Sequence, residues 1–368
     1  MSQTEKFNFG LIPEYLLESY LYPEDVKLCC LCFLDYERYN EYIPQKLESN
    51  YKKIEPKYLE KLPFDYKEKV KKVKEGMKTN QIFFTKIANL YMNDFNKIKL
   101  SKEAIDNFEE QEQSFIGKYF LEMLIREWAE EGKEERSKTI APVIQELKRY
   151  YDYEDKNLMK NGVNVLIIGS KFMRVAYEVA KLGYITEANE KNFLYILIAN
   201  YLFNYSKKNE NCICPRIGSF CSSFTEESVT KKHYFPDVDI QEDLKNIKGE
   251  NIIINKRNFE EEYAYEKDLY HCVITSFSTD EASNIIHFTE IVHNILIKGG
   301  IWINLGGVNG NHEEYGGFDL TWEEWKHVIL KCGFEFKREE TPVLPFCQIK
   351  GHSLPYTIGT IFFTVQKK

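Results

Sequence analysis

Residues 163–190 read VNVLIIGSKFMRVAYEVAKLGYITEANE. Positions 163–168 are apolar and β-branched apart from Asn164, which fits a strand buried on both faces. Gly169 ends that run. Positions 174–182 read as a helix with Val175, Val179 and Leu182 on one side, and Gly183 is placed as its C-terminal stop. Positions 184–189 form a short second strand that ends in Glu190. Strand, turn, helix, strand and terminal acid make the first half of a nucleotide-binding βαβ unit, in which the acid receives ribose hydroxyls. The turn departs from that pattern. Such a turn uses glycines so that the backbone can approach a ligand, whereas here Gly169 is followed by Ser170, Lys171, Phe172 and Met173.

Working outward, residues 193–205 form a second helix with almost no polar face, which implies a buried element. Residues 206–232 are polar and irregular and read as an insertion. Strands are expected at 251–255 and 269–277, a helix at 282–297, and a turn at Lys298, Gly299 and Gly300 that leads into a strand at 301–305. A helix at 322–332 and closing strands at 334–339 and 356–366 complete the alternation. The fold class is therefore α/β, a doubly wound sheet with an antiparallel end, of the kind used by S-adenosylmethionine-dependent methyltransferases. Residues 1–160 show no such alternation. Apolar positions recur at helical spacing in 13–20, 24–42, 66–90 and 113–129, Ser101 is placed to cap a further helix, and Ser137 or Thr139 another. Residues 1–160 thus read as an all-helical layer and 161–368 as the sheet domain, with no Pro-, Gly- or Ser-rich linker between them.

The 368 residues are 43% hydrophobic and 15% aromatic, with a formal net charge of −8. That balance gives no basic face for duplex nucleic acid. No apolar run approaches the ~20 residues of a membrane span. The N-terminus lacks a signal-peptide or transit pattern, so an intracellular protein, cytoplasmic by default, is expected. Nine scattered cysteines suit a reducing compartment. Cys29, Cys30 and Cys32 read as small core residues on an apolar helix. Cys212, Cys214, Cys221 and His233 have no familiar zinc-ligand spacing, and no metal is assigned.

Several separated segments together resemble the carnosine N-methyltransferase family. These are REWAEEGKEER at 126–136, RVAYEVAKLGY with its terminal ANE at 174–190, PDVD at 236–239, TSFSTDEASN at 275–284 and KGGIWINLG at 298–306. The similarity runs from roughly residue 35 to the C-terminus, loosely over the insertion and roughly the last sixty residues. It implies methyl transfer from S-adenosylmethionine to an imidazole nitrogen of a histidine-containing dipeptide. It also implies that Gly169, Arg174, Glu190, Asn258 and Thr275 border the cofactor, with Asn258 standing where the family usually has an aspartate facing the adenine amine. Asp280 and Asn284 match the acid and amide that face the substrate imidazole, and His312 and Tyr356 fall near other substrate-side positions. Asp280 would orient the imidazole and leave its other nitrogen as the nucleophile. Three of them have a structural alternative: Glu190 as a solvated acid at the sheet rim, Asp280 as the cap of helix 282–297, His312 as a surface histidine.

The family has a PGAGLG-like loop where this chain has IGSKFM. Lys171 and Phe172 are expected to place long side chains where the cofactor's amino-acid end would lie. Overpacking of that kind costs about 1–3 kcal/mol even for small groups. The expectation is accordingly a catalytically inactive relative kept as a structural subunit of a larger protein assembly. The alternative is an active N-methyltransferase acting on a histidine-containing dipeptide or peptide. A third possibility is an anion held by Lys171 at the helix N-terminus.

Overall fold

The protein is described from a computed structural model covering residues 7–8, 23–95, 97–102, 116–152, 154, 162–245, 252–307, 320–354 and 356–368. Helices α1 (Pro23–Leu34), α2 (Tyr66–Phe95), α3 (Lys118–Trp128) and α4 (Lys133–Tyr150) build the N-terminal layer. At 30 residues, α2 is long enough to span a small domain, about 45 Å at 1.5 Å per residue. The expected helix at 24–42 is divided, since α1 ends at Leu34 and a separate short helix covers Tyr36–Asn40. Helices α5 (Arg174–Lys181), α6 (Phe193–Tyr205), α7 (Ile285–Ile295) and α8 (Trp322–Lys331) belong to the sheet domain.

The strands are β1 (Phe7–Asn8), β2 (Asn164–Ile168), β3 (Ile185–Asn189), β4 (Asn211–Ile213), β5 (His233–Phe235), β6 (Ile252–Asn255), β7 (Tyr270–Ser276), β8 (Leu296–Gly306), β9 (Phe334–Glu340), β10 (Val343–Pro345), β11 (Thr357–Gly359) and β12 (Ile361–Lys367). The main sheet has the order β1-β6-β3-β2-β7-β8-β12-β9. Strands β6, β3, β2, β7 and β8 run parallel, and β12 is antiparallel to both β8 and β9. Strand order therefore reverses between β3 and β7, on either side of β2, and the ends of those strands form the crevice where such sheets bind ligands.

The two-residue period of a strand divides the apolar run of β2 between two cores. Val165 and Ile167 join a cluster with Phe84, Leu124, Trp128 and Ile198 from the helical layer and α6. Leu166 and Ile168 join the opposite cluster with Phe288, Trp302, Trp325 and Phe363. One contiguous core thus takes in residues from both the N-terminal helices and the sheet. Helix α6 lies within it, which accounts for its lack of a polar face. Its start is set by Asn192, whose side chain accepts from the Leu194 N–H at 2.8 Å.

Three expected elements take another form. The polar stretch 206–232 is not a loose insertion: β4 pairs with β5, and Cys214, Arg216 and Ile217 are buried. Its backbone is satisfied by α2, because Asn80 donates to the Cys214 carbonyl at 3.0 Å and accepts from its N–H at 2.6 Å. Strand β8 passes through Gly299 and Gly300 without a turn, at a register irregularity opposite Tyr270 and Cys272. Gly299 has φ +79, and a Cβ on Gly300 would stand 2.9 Å from the Ile297 carbonyl oxygen, so the glycines permit a bulge. The expected strand 356–366 divides at Thr360, whose N–H donates to the Pro342 carbonyl; β11 pairs with β10 while β12 joins the main sheet.

Candidate functional site

The turn between β2 and α5 follows a path made for glycine. Gly169, Lys171 and Met173 all have positive φ, at 65°, 47° and 67°. For a residue with a Cβ this left-handed region costs about 1–2 kcal/mol. Surrounding hydrogen bonds hold it. Ser170 N–H donates to the Asn189 carbonyl, Met173 N–H to the Ser170 carbonyl, and Lys171 N–H to Glu190 Oε2 at 2.8 Å. Trp128 Nε1 donates to the Phe172 carbonyl at 2.8 Å.

The two side chains expected to fill this turn have different fates. Phe172 does not line the crevice. It is fully buried in the core, with its ring 5.0 Å from that of Phe120 and 4.8 Å from that of Tyr195. Alternating backbone conformations along the turn direct it inward between α3 and α6. Lys171 does cross the crevice. Its Nζ donates to the Phe277 carbonyl at 2.8 Å and stands 3.7 Å from Glu281 Oε1. Ser278 closes in beside it, donating to the Ile168 carbonyl at 2.7 Å and packing on Gly169, where an added Cβ would lie 2.5 Å from Ser278 Cβ. What remains is a space of about 40 Å³ bordered by Gly169, Glu190, Asn258, Phe259 and Glu281. That holds a few water molecules at most.

Glu190 is buried at the end of β3 and lines this space. It accepts from the N–H groups of Lys171 and Asn192. Burial and then the neighbouring Glu281 push its pKa up from 4.5 to about 7, against the pull of the two N–H groups and Lys171. It is not a solvated rim acid. Asn258 caps the short helix Phe259–Glu262, accepting from Glu260 N–H and donating to Glu261. With Glu190 and Glu281 on its walls, the crevice does not suit the anion considered for Lys171.

Two expected cofactor residues lie elsewhere. Arg174 donates to the Glu127 carbonyl and pairs with Asp237 at 2.7 Å and Glu178 at 2.9 Å, with its guanidinium over the Trp128 ring. Asp237, from the PDVD segment, also pairs with Arg136. This buried network ties α5 to the helical layer. Thr275 is fully buried within the sheet, donating to Asn304 at 2.8 Å and accepting from Trp302 Nε1 at 2.9 Å. On the substrate side, Asn284 rather than Asp280 caps α7, accepting from the N–H groups of Ile286 and His287. Asp280 is exposed on a separate 3-10 turn, Thr279–Glu281. Asn284's own N–H and that of Ser283 donate to Glu260, which binds this turn to the end of β6. Tyr356 is 42% exposed and lines a different cavity, between α3, α4 and residues 345–354. His312 lies outside the described residues. Glu281, Ser278 and Glu260 complete the crevice and were not singled out from sequence, although a Ser-Thr-Asp-Glu run just after a central strand marks a sheet's ligand-facing edge. Among the described residues no three His, Cys, Asp or Glu form a group that could hold a metal, and no helix is long and apolar enough to cross a membrane.

Five parallel strands with an antiparallel strand inserted before the edge, helices on both faces and an acid at the end of the strand beside β2 define the class: a methyltransferase-type α/β fold. The particular family follows from comparison. Residues 104–367 match the family model for carnosine N-methyltransferase, and the chain belongs to that family. It is similar to the mouse carnosine N-methyltransferase, with 31% identity over 252 residues covering 67% of this chain and 62% of that protein. It is also similar to the carnosine N-methyltransferase of Dictyostelium discoideum, with 26% identity over 363 residues covering 93% and 76%. The match to the mouse protein thus spans about six-tenths of that protein's length. Among solved structures, a SAM-dependent methyltransferase from Methanosarcina mazei aligns over 56% of this chain and 92% of its own, with 12% identity and a TM-score of 0.37.

Proposed function

We propose that this chain is an S-adenosylmethionine-dependent N-methyltransferase acting on an imidazole nitrogen of a histidine-containing dipeptide or peptide. The observation that supports it is the turn after β2. Its backbone keeps the glycine-loop path at Lys171 and Met173 despite the strain, with the Glu190 carboxylate at its base. The long side chain at this turn is flexible. A single hydrogen bond from its ammonium, worth about 1.5–3 kcal/mol, and a 3.7 Å contact with the half-exposed Glu281 hold Lys171 in place. Its departure is within reach of ordinary binding energies. On the substrate side, Asp280 sits on an exposed turn beside the crevice, where a carboxylate can fix the tautomer of an imidazole.

A second reading is favoured by the crossing itself. With Lys171 and Ser278 bridging the ends of β2 and β7, the chain is a relative without methyl transfer, retained for its fold and its contacts with other proteins. Calorimetric titration with S-adenosylhomocysteine, alongside transfer of a labelled methyl group to β-alanylhistidine, separates the two. Micromolar binding with transfer supports the enzyme. Absence of binding until Lys171 is removed supports the second reading.

A further inference from the structure

A groove of about 630 Å³ lies in the helical layer, between α2 and the helix Tyr42–Lys53, and none of its lining residues borders the crevice. Its floor is apolar. Val70 is buried there, and the Tyr51 and Tyr66 rings stack on each other with centroids 5.2 Å apart. Its rim is cationic. Lys67, Lys71, Lys74 and Lys78 follow one another along α2 at steps of four, three and four residues, which places them on one helix face over about 16 Å. Lys52 stands on the opposite wall, and all five are exposed. Lys74 pairs with Glu48 across the groove at 2.8 Å, and Lys71 contacts Glu68 at 3.4 Å. Lys52, Lys67 and Lys78 make no ion pair among the described residues, although Glu37 and Glu75 share the lining. The stretch 46–78 holds eleven lysines and six acids, a net of +5 in a chain of net charge −8.

We infer that this groove docks an acidic amphipathic helix of another protein, its carboxylates along the lysine stripe and its apolar side chains on the tyrosine and valine floor. Charge complementarity sets the sign of the partner, because a local excess of unpaired ammonium groups is left for it to meet. The spacing argues for a helix. Carboxylates at steps of four, three and four residues lie on one face of a helix and repeat the interval of the lysines, and apolar anchors beside them reach the floor between the two helices. The aliphatic stems of the lysines cover those anchors while the ammonium groups stay in water. A flat anionic surface would not reach Val70 between the two helices. The tyrosines turn one face to each other, whereas single-stranded nucleic acid is held on free aromatic faces. The inference depends on neither reading of the crevice.

The test is fluorescence anisotropy of a fluorescein-labelled synthetic peptide, an amphipathic helix of about 20 residues with glutamates at the interval of the lysines and leucines beside them. It is titrated with the full chain, with Lys67→Glu/Lys71→Glu/Lys78→Glu, and with Lys53→Glu/Lys57→Glu/Lys61→Glu. The last makes the same charge change on exposed lysines of the same stretch that do not line the groove. Circular dichroism melts confirm that all three fold. The unaltered protein should bind in the micromolar range, more weakly as salt is raised. The groove variant should bind at least about tenfold more weakly, from three lost pairings and three new repulsions. The variant outside the groove should stay within about twofold of the unaltered protein, because salt screens charges that make no contact. No binding of the peptide, or an equal loss in both variants, would overturn the inference. So would equal binding of a scrambled peptide of the same composition, or of a single-stranded oligonucleotide of the same charge.

Discussion

Replacing Lys171 with glycine tests the obstacle directly, and the structure sets what each effect should be worth. The residue has φ 47°, so a glycine releases about 1–2 kcal/mol of left-handed strain. Against that stand the hydrogen bond from its ammonium to Phe277, about 1.5–3 kcal/mol for a charged donor, and glycine's greater freedom in the unfolded chain, about 0.5–1 kcal/mol. The contact with Glu281 adds little, because that carboxylate is 38% exposed. The net cost is about 1–2 kcal/mol, so the melting temperature should fall by only a few degrees. Affinity for S-adenosylhomocysteine should move the other way and rise. Removing a side chain that must otherwise be displaced is worth about 1–3 kcal/mol by analogy with overpacking, or roughly five- to 150-fold in Kd. Isothermal titration of both proteins at one salt concentration measures this. Equal affinities would refute the claim that Lys171 obstructs the crevice, and a large loss of stability would refute its placement at a glycine-like position.

Phe172→Ala should behave in the opposite way, losing about 3–5 kcal/mol of stability as a fully buried aromatic; a chemical-denaturation midpoint checks it. Asp237→Ala leaves Arg136 and Arg174 buried without their shared carboxylate, and should cost about 3–5 kcal/mol in the same assay. Glu190 has its pKa raised from 4.5 to about 7. The fold therefore prefers its protonated form, and that stability, present below about 4.5, is lost as pH rises through about 7. Glu190→Gln should remove up to about 3 kcal/mol of this loss, seen as a smaller fall in urea midpoint between pH 4 and pH 8 than in the unaltered protein. Equal falls would show that Glu190 is not the group responsible.

Local sequence by itself determined the parallel core. The apolar run at 163–168, the amphipathic helix after it and the glycine at 183 need only backbone periodicity and steric rules, and they place Gly169 and Glu190 at the crevice. The same rules located α6 at Phe193–Tyr205, because a helix without a polar face can only be buried. Tertiary structure decided which way each side chain of the turn points. Lys171 and Phe172 are adjacent and both bulky, yet one crosses to Phe277 and the other enters the core with Phe120 and Tyr195. It also decided that Arg174 and Thr275 serve packing networks, since their partners Asp237 and Asn304 are distant in the chain. Glu122 carries no mark in sequence beyond its place on a helix. Its burial arises only when α3, α4 and residues 345–354 enclose it, because burial is a property of the whole neighbourhood.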